Sequence, residues 1–131
     1  MIEIRKYDLP DMDIFYDKDT RTDYCTWVPD DYYVVLGNSN KPQENLIEKN
    51  IFKDYVPVYK RPSGGETVIL SSNTLVISIK VTLEKFSNPS SLFKYFNEKI
   101  IEALSRLGIK NLYYRGISDV AIDDKKILGS S

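Results

Sequence analysis

Histidine is absent from the 131 residues. That excludes Ser-His-Asp and Cys-His catalysis, histidine general bases and histidine metal sites within this polypeptide. Cysteine is nearly as scarce. Cys25 stands alone, so neither an internal disulfide nor a thiolate metal cluster can form, and the residue reads as a small buried or half-buried side chain rather than a nucleophile. No apolar run reaches the roughly 18 residues that crossing a bilayer requires. The opening Met1-Ile2-Glu3-Ile4-Arg5 alternates apolar and polar residues and lacks the apolar centre of a signal peptide. A cytoplasmic location, with no membrane partner, is therefore the default expectation. Excess positive charge is missing too. The formal net charge is −1 and no run of lysines or arginines stands out, so nucleic acid is not an expected partner.

What remains is an ordinary globular balance, with 42% hydrophobic and 28% charged residues. The length suits one domain spanning residues 1–131. Ile2 and Ile4 alternate with charged residues and suggest a short strand. Residues 8–31, rich in Asp, Thr, Tyr and Pro, show no clean period and read as irregular. Residues 32–36 form a compact apolar run ended by Gly37, a buried strand. Leu46, Ile47, Ile51 and Phe52 have helical spacing and predict one helix over 43–54. Residues 56–61 read as a strand that Pro57 places near an edge or bend. Strands are expected over 67–70 and 75–81. The clearest helix runs from 89 to 107: Asn88 is a good N-cap, Pro89 suits the first turn, and Gly108 ends it. Its apolar stripe is Phe93, Phe96, Ile100, Ala103, Leu104 and Leu107. Strands follow over 109–114, 120–122 and 126–128, the last two joined by an Asp123-Asp124 hairpin turn. The fold class is α+β, with one mixed β-sheet flanked by helices.

Three segments could carry chemistry. In Lys60-Arg61-Pro62-Ser63-Gly64-Gly65-Glu66-Thr67-Val68, two glycines let a ligand approach the backbone, and N–H groups in such a turn can cradle an anion. Lys60 and Arg61 beside it could neutralise a carboxylate or phosphate. In Gly116-Ile117-Ser118-Asp119-Val120, followed by Lys126-Ile127-Leu128-Gly129-Ser130-Ser131, a Ser-Asp pair precedes a hairpin whose returning strand carries Lys126. In Leu36-Gly37-Asn38-Ser39-Asn40-Lys41, a strand ends at a glycine ahead of polar residues. Taken singly, each segment is also an ordinary turn or a solvated edge.

Together, in this order and spacing, the three segments resemble the lipoate–protein ligase branch of the biotin/lipoate ligase family. That family has Gly-Arg-x-Gln-Asn, then Arg-Arg-x-Ser/Thr-Gly-Gly-Gly-x-Val, then Gly-Arg-Asn-Asp-Ile and Lys-Ile-x-Gly-Ser-Ala. The match covers roughly Tyr32 to Ser131. Departures are plain: Asn38 stands for the arginine, Glu66 for the third glycine, Leu70 and Ser71 for a frequent His-Asp pair, and Ser118 for the asparagine. The resemblance implies a class II synthetase-like catalytic domain, of which this chain is the front portion. It implies ATP-dependent activation of lipoate or octanoate to an acyl-adenylate, with magnesium travelling on ATP, and transfer to a lysine of a lipoyl domain. The carrier would belong to a 2-oxoacid dehydrogenase or glycine cleavage system, and a separate C-terminal or accessory ligase part could complete the enzyme. Lys126 would hold the acyl carbonyl and α-phosphate. Arg61, Ser63, Gly64, Gly65, Thr67, Ser118, Asp119 and Gly129 would bind substrate or adenylate, and no residue would be a dedicated metal ligand. The alternatives are an octanoyltransferase of the same fold, or a non-catalytic fragment that binds ligand or lipoyl domains. A biotin ligase ranks lower, because its glycine turn is spelled differently.

Overall fold

The computed structural model describes residues 1–85 and 88–131. They form two compact units, Met1–Leu83 and Glu84–Ser131. The first unit is built on a four-stranded sheet. Its strands are β1 (Ile4–Lys6), β3 (Tyr33–Leu36), β4 (Val58–Lys60) and β5 (Val68–Leu70), in the order β1-β4-β3-β5. β4 runs parallel to β1 and β3, while β5 runs antiparallel to β3, so the sheet is mixed as expected. A separate antiparallel pair joins β2 (Asp23–Trp27) to β6 (Val76–Lys80).

The sheet is covered on both faces, which is why β3 reads as a continuous apolar run rather than an alternation. Val35, Tyr59 and Leu70 point to one side, where Tyr7 and Leu9 bury against them and Phe15, Trp27 and Val76 close the layer. Phe15 comes from α1 (Met12–Tyr16), and Trp27 and Val76 from β2 and β6. Val34, Leu36 and Val58 point to the other side and meet Leu46, Ile51 and Val56.

Several expectations need correction here. Residues 8–31 are not irregular; they hold α1 and β2. Cys25 and Trp27 turn inward on β2 while Tyr24 and Thr26 face solvent. The single helix expected over 43–54 is two, α2 (Pro42–Asn45) and α3 (Glu48–Asp54). Leu46 and Ile47 between them are extended, which lets Leu46 and Ile51 reach the sheet and leaves Ile47 and Phe52 exposed. Pro57 does not mark an edge. It precedes β4, which lies inside the sheet, and its carbonyl accepts from Val34 N–H at 3.0 Å. Instead of one sheet, the strands sort into three.

The second unit sets α4 (Pro89–Arg106) against a three-stranded antiparallel meander of β7 (Leu112–Arg115), β8 (Asp119–Ile122) and β9 (Lys125–Gly129). Asn88 caps α4 through its side chain, accepting from Ser91 N–H at 2.9 Å. At the other end Gly108 takes φ +88°, and Ile109 N–H reaches back to the Leu104 carbonyl, the bond pattern of a glycine-terminated helix. Phe93, Phe96, Ile100 and Leu104 are half-buried, whereas Ala103 and Leu107 of the expected stripe are exposed.

The β8–β9 hairpin turns at Asp123-Asp124, with Asp123 in the left-handed region at φ +53°. Its ladder carries a β-bulge. Ala121 pairs with Lys126 and Val120 with Leu128, leaving Ile127 as the extra residue. Beyond the bulge, Gly129 rather than Leu128 stands opposite Asp119.

Candidate functional site

The glycine turn of the first unit is seated on Gly37. A Cβ there would lie 1.9 Å from the Gly65 carbonyl oxygen, so only glycine lets the end of β3 touch the turn. Asn38 N–H donates to the Ser63 carbonyl at 2.9 Å. Asn40 Oδ1 accepts from Gly37 N–H at 2.9 Å and from the Thr67 hydroxyl at 3.0 Å. Lys60 Nζ leans toward the Asn40 carbonyl at 3.5 Å. Gly65 sits at φ +92°, a conformation that glycine adopts without a steric penalty.

Arg61 braces this turn from behind. It is only 6% exposed. Its Nε and Nη2 donate to the Gly64 carbonyl at 3.1 and 2.7 Å, Nη2 also to the Glu66 carbonyl at 2.9 Å, and Nη1 to the Val35 carbonyl at 3.4 Å. Burial pulls its pKa down from the usual guanidinium value, partly offset by Tyr7 and Glu66 nearby. Among the described residues no carboxylate pairs with it, so its charge is held by backbone dipoles. The carbonyls of Gly64 and Glu66 are thus drawn toward Arg61. The N–H groups of Gly64 and Gly65 have no acceptor among the described residues. A turn with two carbonyls tied back and two glycine amides without an acceptor among the described residues is suited to receive an anion.

Beside Thr67 and Glu66, α2 and α3 overhang a mainly apolar cleft of about 390 Å³ lined by Val34, Leu46, Ile51 and Ile69. It opens on the side of the sheet opposite Val35, Tyr59 and Leu70. On that other side Asp11 is 2% exposed; its Oδ1 accepts from Tyr7 OH at 2.6 Å and its Oδ2 from Ser78 OH. Burial and this bond push the Tyr7 phenol well above its ordinary pKa.

In the second unit, Lys126 Nζ lies 3.0 Å from Asp119 Oδ1. Lys126 pairs with Ala121, which shares a face of β8 with Asp119, and the bulge beyond it puts Gly129 rather than Leu128 opposite Asp119 on that face. Gly129 supplies the room, because a Cβ there would come within 3.0 Å of Lys126 Nζ and 3.1 Å of its Cε. The Lys126 side chain is 52% exposed and that of Asp119 26%, so water screens the pair and its net contribution to stability is at most about 1 kcal/mol. Ser118 is tied down by its carbonyl, which accepts from Asn97 Nδ2 at 3.1 Å and from Ser130 N–H at 2.9 Å.

Sequence reasoning named five residues of the turn (Arg61, Ser63, Gly64, Gly65, Thr67) and four of the hairpin (Lys126, Ser118, Asp119, Gly129). Each set is gathered in its own unit. Reasoning from sequence gave Arg61 an anion-holding role; the structure directs its N–H groups to carbonyls. It passed over Gly37 and Asn40 as site residues, although the Gly-x-x-Asn spacing after a strand was a usable signal. It missed Asn97 altogether.

The first unit thus carries a glycine turn on a mixed sheet, and the second a lysine on a bulged hairpin. The chain belongs to the lipoyl protein ligase A/B catalytic domain family, whose model matches residues 14–131, well ahead of the Tyr32 where the resemblance in sequence became visible. It is 29% identical over 100 residues to lipoate-protein ligase LplJ of Bacillus subtilis (strain 168), spanning 75% of this chain and 29% of that protein. Its fold is similar to that of a bi-partite lipoate protein ligase from Thermoplasma acidophilum, studied with its E2 lipoyl domain, at TM-score 0.80 and 22% identity over 91% of this chain and 47% of that one. It is also similar to lipoate-protein ligase A bound with ATP, at TM-score 0.74 and 19% identity over 98% and 58% of the two chains. The chain thus spans about half the length of these solved relatives and less than a third of LplJ. No helix among the described residues is long and apolar enough to cross a membrane.

Proposed function

We propose that this chain is the acyl- and adenylate-binding part of a lipoate–protein ligase, with residues 1–131 acting together as the front of its catalytic domain. The carrying observation is the glycine turn: Arg61 binds the Gly64 and Glu66 carbonyls, and the amides of Gly64 and Gly65 have no acceptor among the described residues. Family membership and the ATP-bound relative support the same reading.

In the proposed reaction, a carboxylate oxygen of lipoate or octanoate attacks the α-phosphorus of magnesium-ATP and pyrophosphate departs. The neutral amine of an acceptor lysine on a lipoyl domain then attacks the acyl carbonyl, releasing AMP and a proton. The first step brings two anions together, so charge neutralisation and alignment matter more than proton transfer, and a histidine is not needed. Lys126 is the catalytic cation between carboxylate and α-phosphate. Asp119 holds it ready until substrate competes for the ammonium. Ser63 and Thr67 support the turn, Gly64 and Gly65 leave room for the acyl chain, and Ser118 and Gly129 set the hairpin. Arg61 acts from behind the turn, shaping it and adding positive potential. The reading places the protein in the cytoplasm. Its expected partners are a lipoyl-domain carrier, of a 2-oxoacid dehydrogenase or glycine cleavage system, and a separate accessory ligase part.

The test is pyrophosphate release with lipoate and ATP, followed by mass gain on a lipoyl domain, with and without a supplied accessory part. Release that needs ATP and disappears in Lys126→Ala supports the reading. Acyl transfer from an acyl carrier without ATP would make the protein an octanoyltransferase instead. Lipoate binding with neither activity would make it a binding fragment.

A further inference from the structure

We infer that Asn97 is a positioning residue that fixes Lys126 and Asp119 in working order, an inference that rests on the ligase reading above. Asn97 is fully buried, at 0% exposure, and lies within the apolar stripe of α4, four residues after Phe93 and three before Ile100. A leucine would fill such a place without penalty, whereas a buried amide is costly unless both of its ends are satisfied. Both ends are. Nδ2 donates to the Ser118 carbonyl at 3.1 Å, and Oδ1 accepts from the Ser130 hydroxyl at 2.9 Å. Ser130 N–H also donates to the Ser118 carbonyl at 2.9 Å. These three bonds close a ring that ties the open end of the β8–β9 hairpin to α4.

The next residues inward on the two strands are Asp119 and Gly129, paired in register. One carries the carboxylate that meets Lys126 Nζ, and the other leaves the space through which the lysine reaches it. Among the described residues Asn97 makes no hydrogen bond to Lys126 or Asp119. It acts through Ser118 and Ser130, by fixing the strand ends on which the ion pair depends. Small displacements of a reacting group cost far more in rate than in stability, so the effect belongs on the catalytic step rather than on folding.

The experiment follows the Lys126 Cε resonance in protein carrying 13C-labelled lysine, assigned by its loss in Lys126→Arg, alongside kcat and KM for lipoate. The variants are Asn97→Leu, Ser130→Ala and Ser130→Thr. Asn97→Leu and Ser130→Ala should move the Lys126 resonance toward that of lysines without a carboxylate partner, and Ser130→Thr, which keeps the hydroxyl, should leave it in place. kcat should fall roughly tenfold in Asn97→Leu and about threefold in Ser130→Ala, with KM within about twofold of the parent, as expected for lost hydrogen bonds that orient rather than bind. A folded Asn97→Leu or Ser130→Ala whose Lys126 resonance and kcat match the parent would overturn the inference and reduce Asn97 to a helix anchor. Should Asn97→Leu not fold, the Ser130 pair decides. If the parent, supplied with the accessory part, releases no pyrophosphate, the ligase reading falls, yet the resonance arm still decides whether Asn97 positions Lys126.

Discussion

Replacing Gly37 by alanine tests the glycine turn from beneath. The added methyl would stand 1.9 Å from the Gly65 carbonyl oxygen and 3.0 Å from its carbonyl carbon, where ordinary contact begins at 3.4 Å. The end of β3 and the turn must therefore part by about 1.5 Å, and because both partners are backbone no side-chain rotation relieves the clash. Overpacking of this kind costs about 1–3 kcal/mol. The bonds from Asn38 N–H to Ser63 and from Gly37 N–H to Asn40 would stretch as well, each worth about 1 kcal/mol. A loss of about 3–5 kcal/mol lowers the unfolding midpoint of a chain this size by roughly 10–20 °C. Gly64→Ala is the matched control. No atom lies within 4 Å of its added methyl, and Gly64 is not among the positive-φ residues. Its stability should hold or rise by about 0.4–1 kcal/mol through a less free unfolded chain, while lipoate binding weakens because the methyl enters the space proposed for ligand. The assays are thermal unfolding by circular dichroism and calorimetric titration with lipoate. An unfolding midpoint for Gly37→Ala within about 2 °C of the parent would refute the reasoning.

Other outcomes follow from the same geometry. Lys126→Ala should lower pyrophosphate release about 100- to 1,000-fold with little change in unfolding temperature; Lys126→Arg should fail too, since a planar fork does not replace a compact ammonium, and normal release by either variant would make Lys126 a surface lysine. Gly129→Ala should change stability by less than about 1 kcal/mol, because only the far end of a flexible side chain must give way, yet separate Lys126 from Asp119 in a crystal structure and slow adenylation. The hydrogen bond to Asp30, reinforced by burial, pushes the Tyr33 phenol up to about 12. A pKa raised on folding contributes stability below the unfolded value of about 10 and loses it as pH climbs to the folded one. Unfolding temperature should therefore drop more steeply between pH 10 and 12 in the parent than in Tyr33→Phe, and identical slopes would contradict the assignment.

What was legible in the sequence was local. Residues 32–36 declared a buried strand by composition, and the long helix declared itself through Asn88, Pro89 and Gly108, all of which act within one turn of chain. Asp123-Asp124 marked its hairpin for the same reason. The helix break at Leu46-Ile47 was hidden, because apolar residues at helical spacing fit one helix as well as two, and only the sheet face at Val34 and Val58 selects Leu46 and Ile51 over Ile47 and Phe52. β2 was hidden because its inward residues are Cys25 and Trp27 while Tyr24 faces water, so hydrophobicity alone did not alternate. In the candidate site, glycines and the lysine stood out by residue type. Arg61 bracing the turn and Asn97 closing the hairpin depend on contacts that no short window contains.

The odd residue in β9 gives the lysine motif its arithmetic. Side chains along a regular strand change face with every step, so two positions share a face only when an even number separates them. Lys126 and Gly129 are three apart, yet they meet on one face because Ile127 falls out of the count. The spacing Lys-x-x-Gly is therefore a parity mark. Wherever it recurs with both residues facing one ligand, the strand between them must have dropped a beat, and shortening the interval by one residue at Ile127 would leave the pairing of Lys126, Leu128 and Gly129 with β8 as it stands.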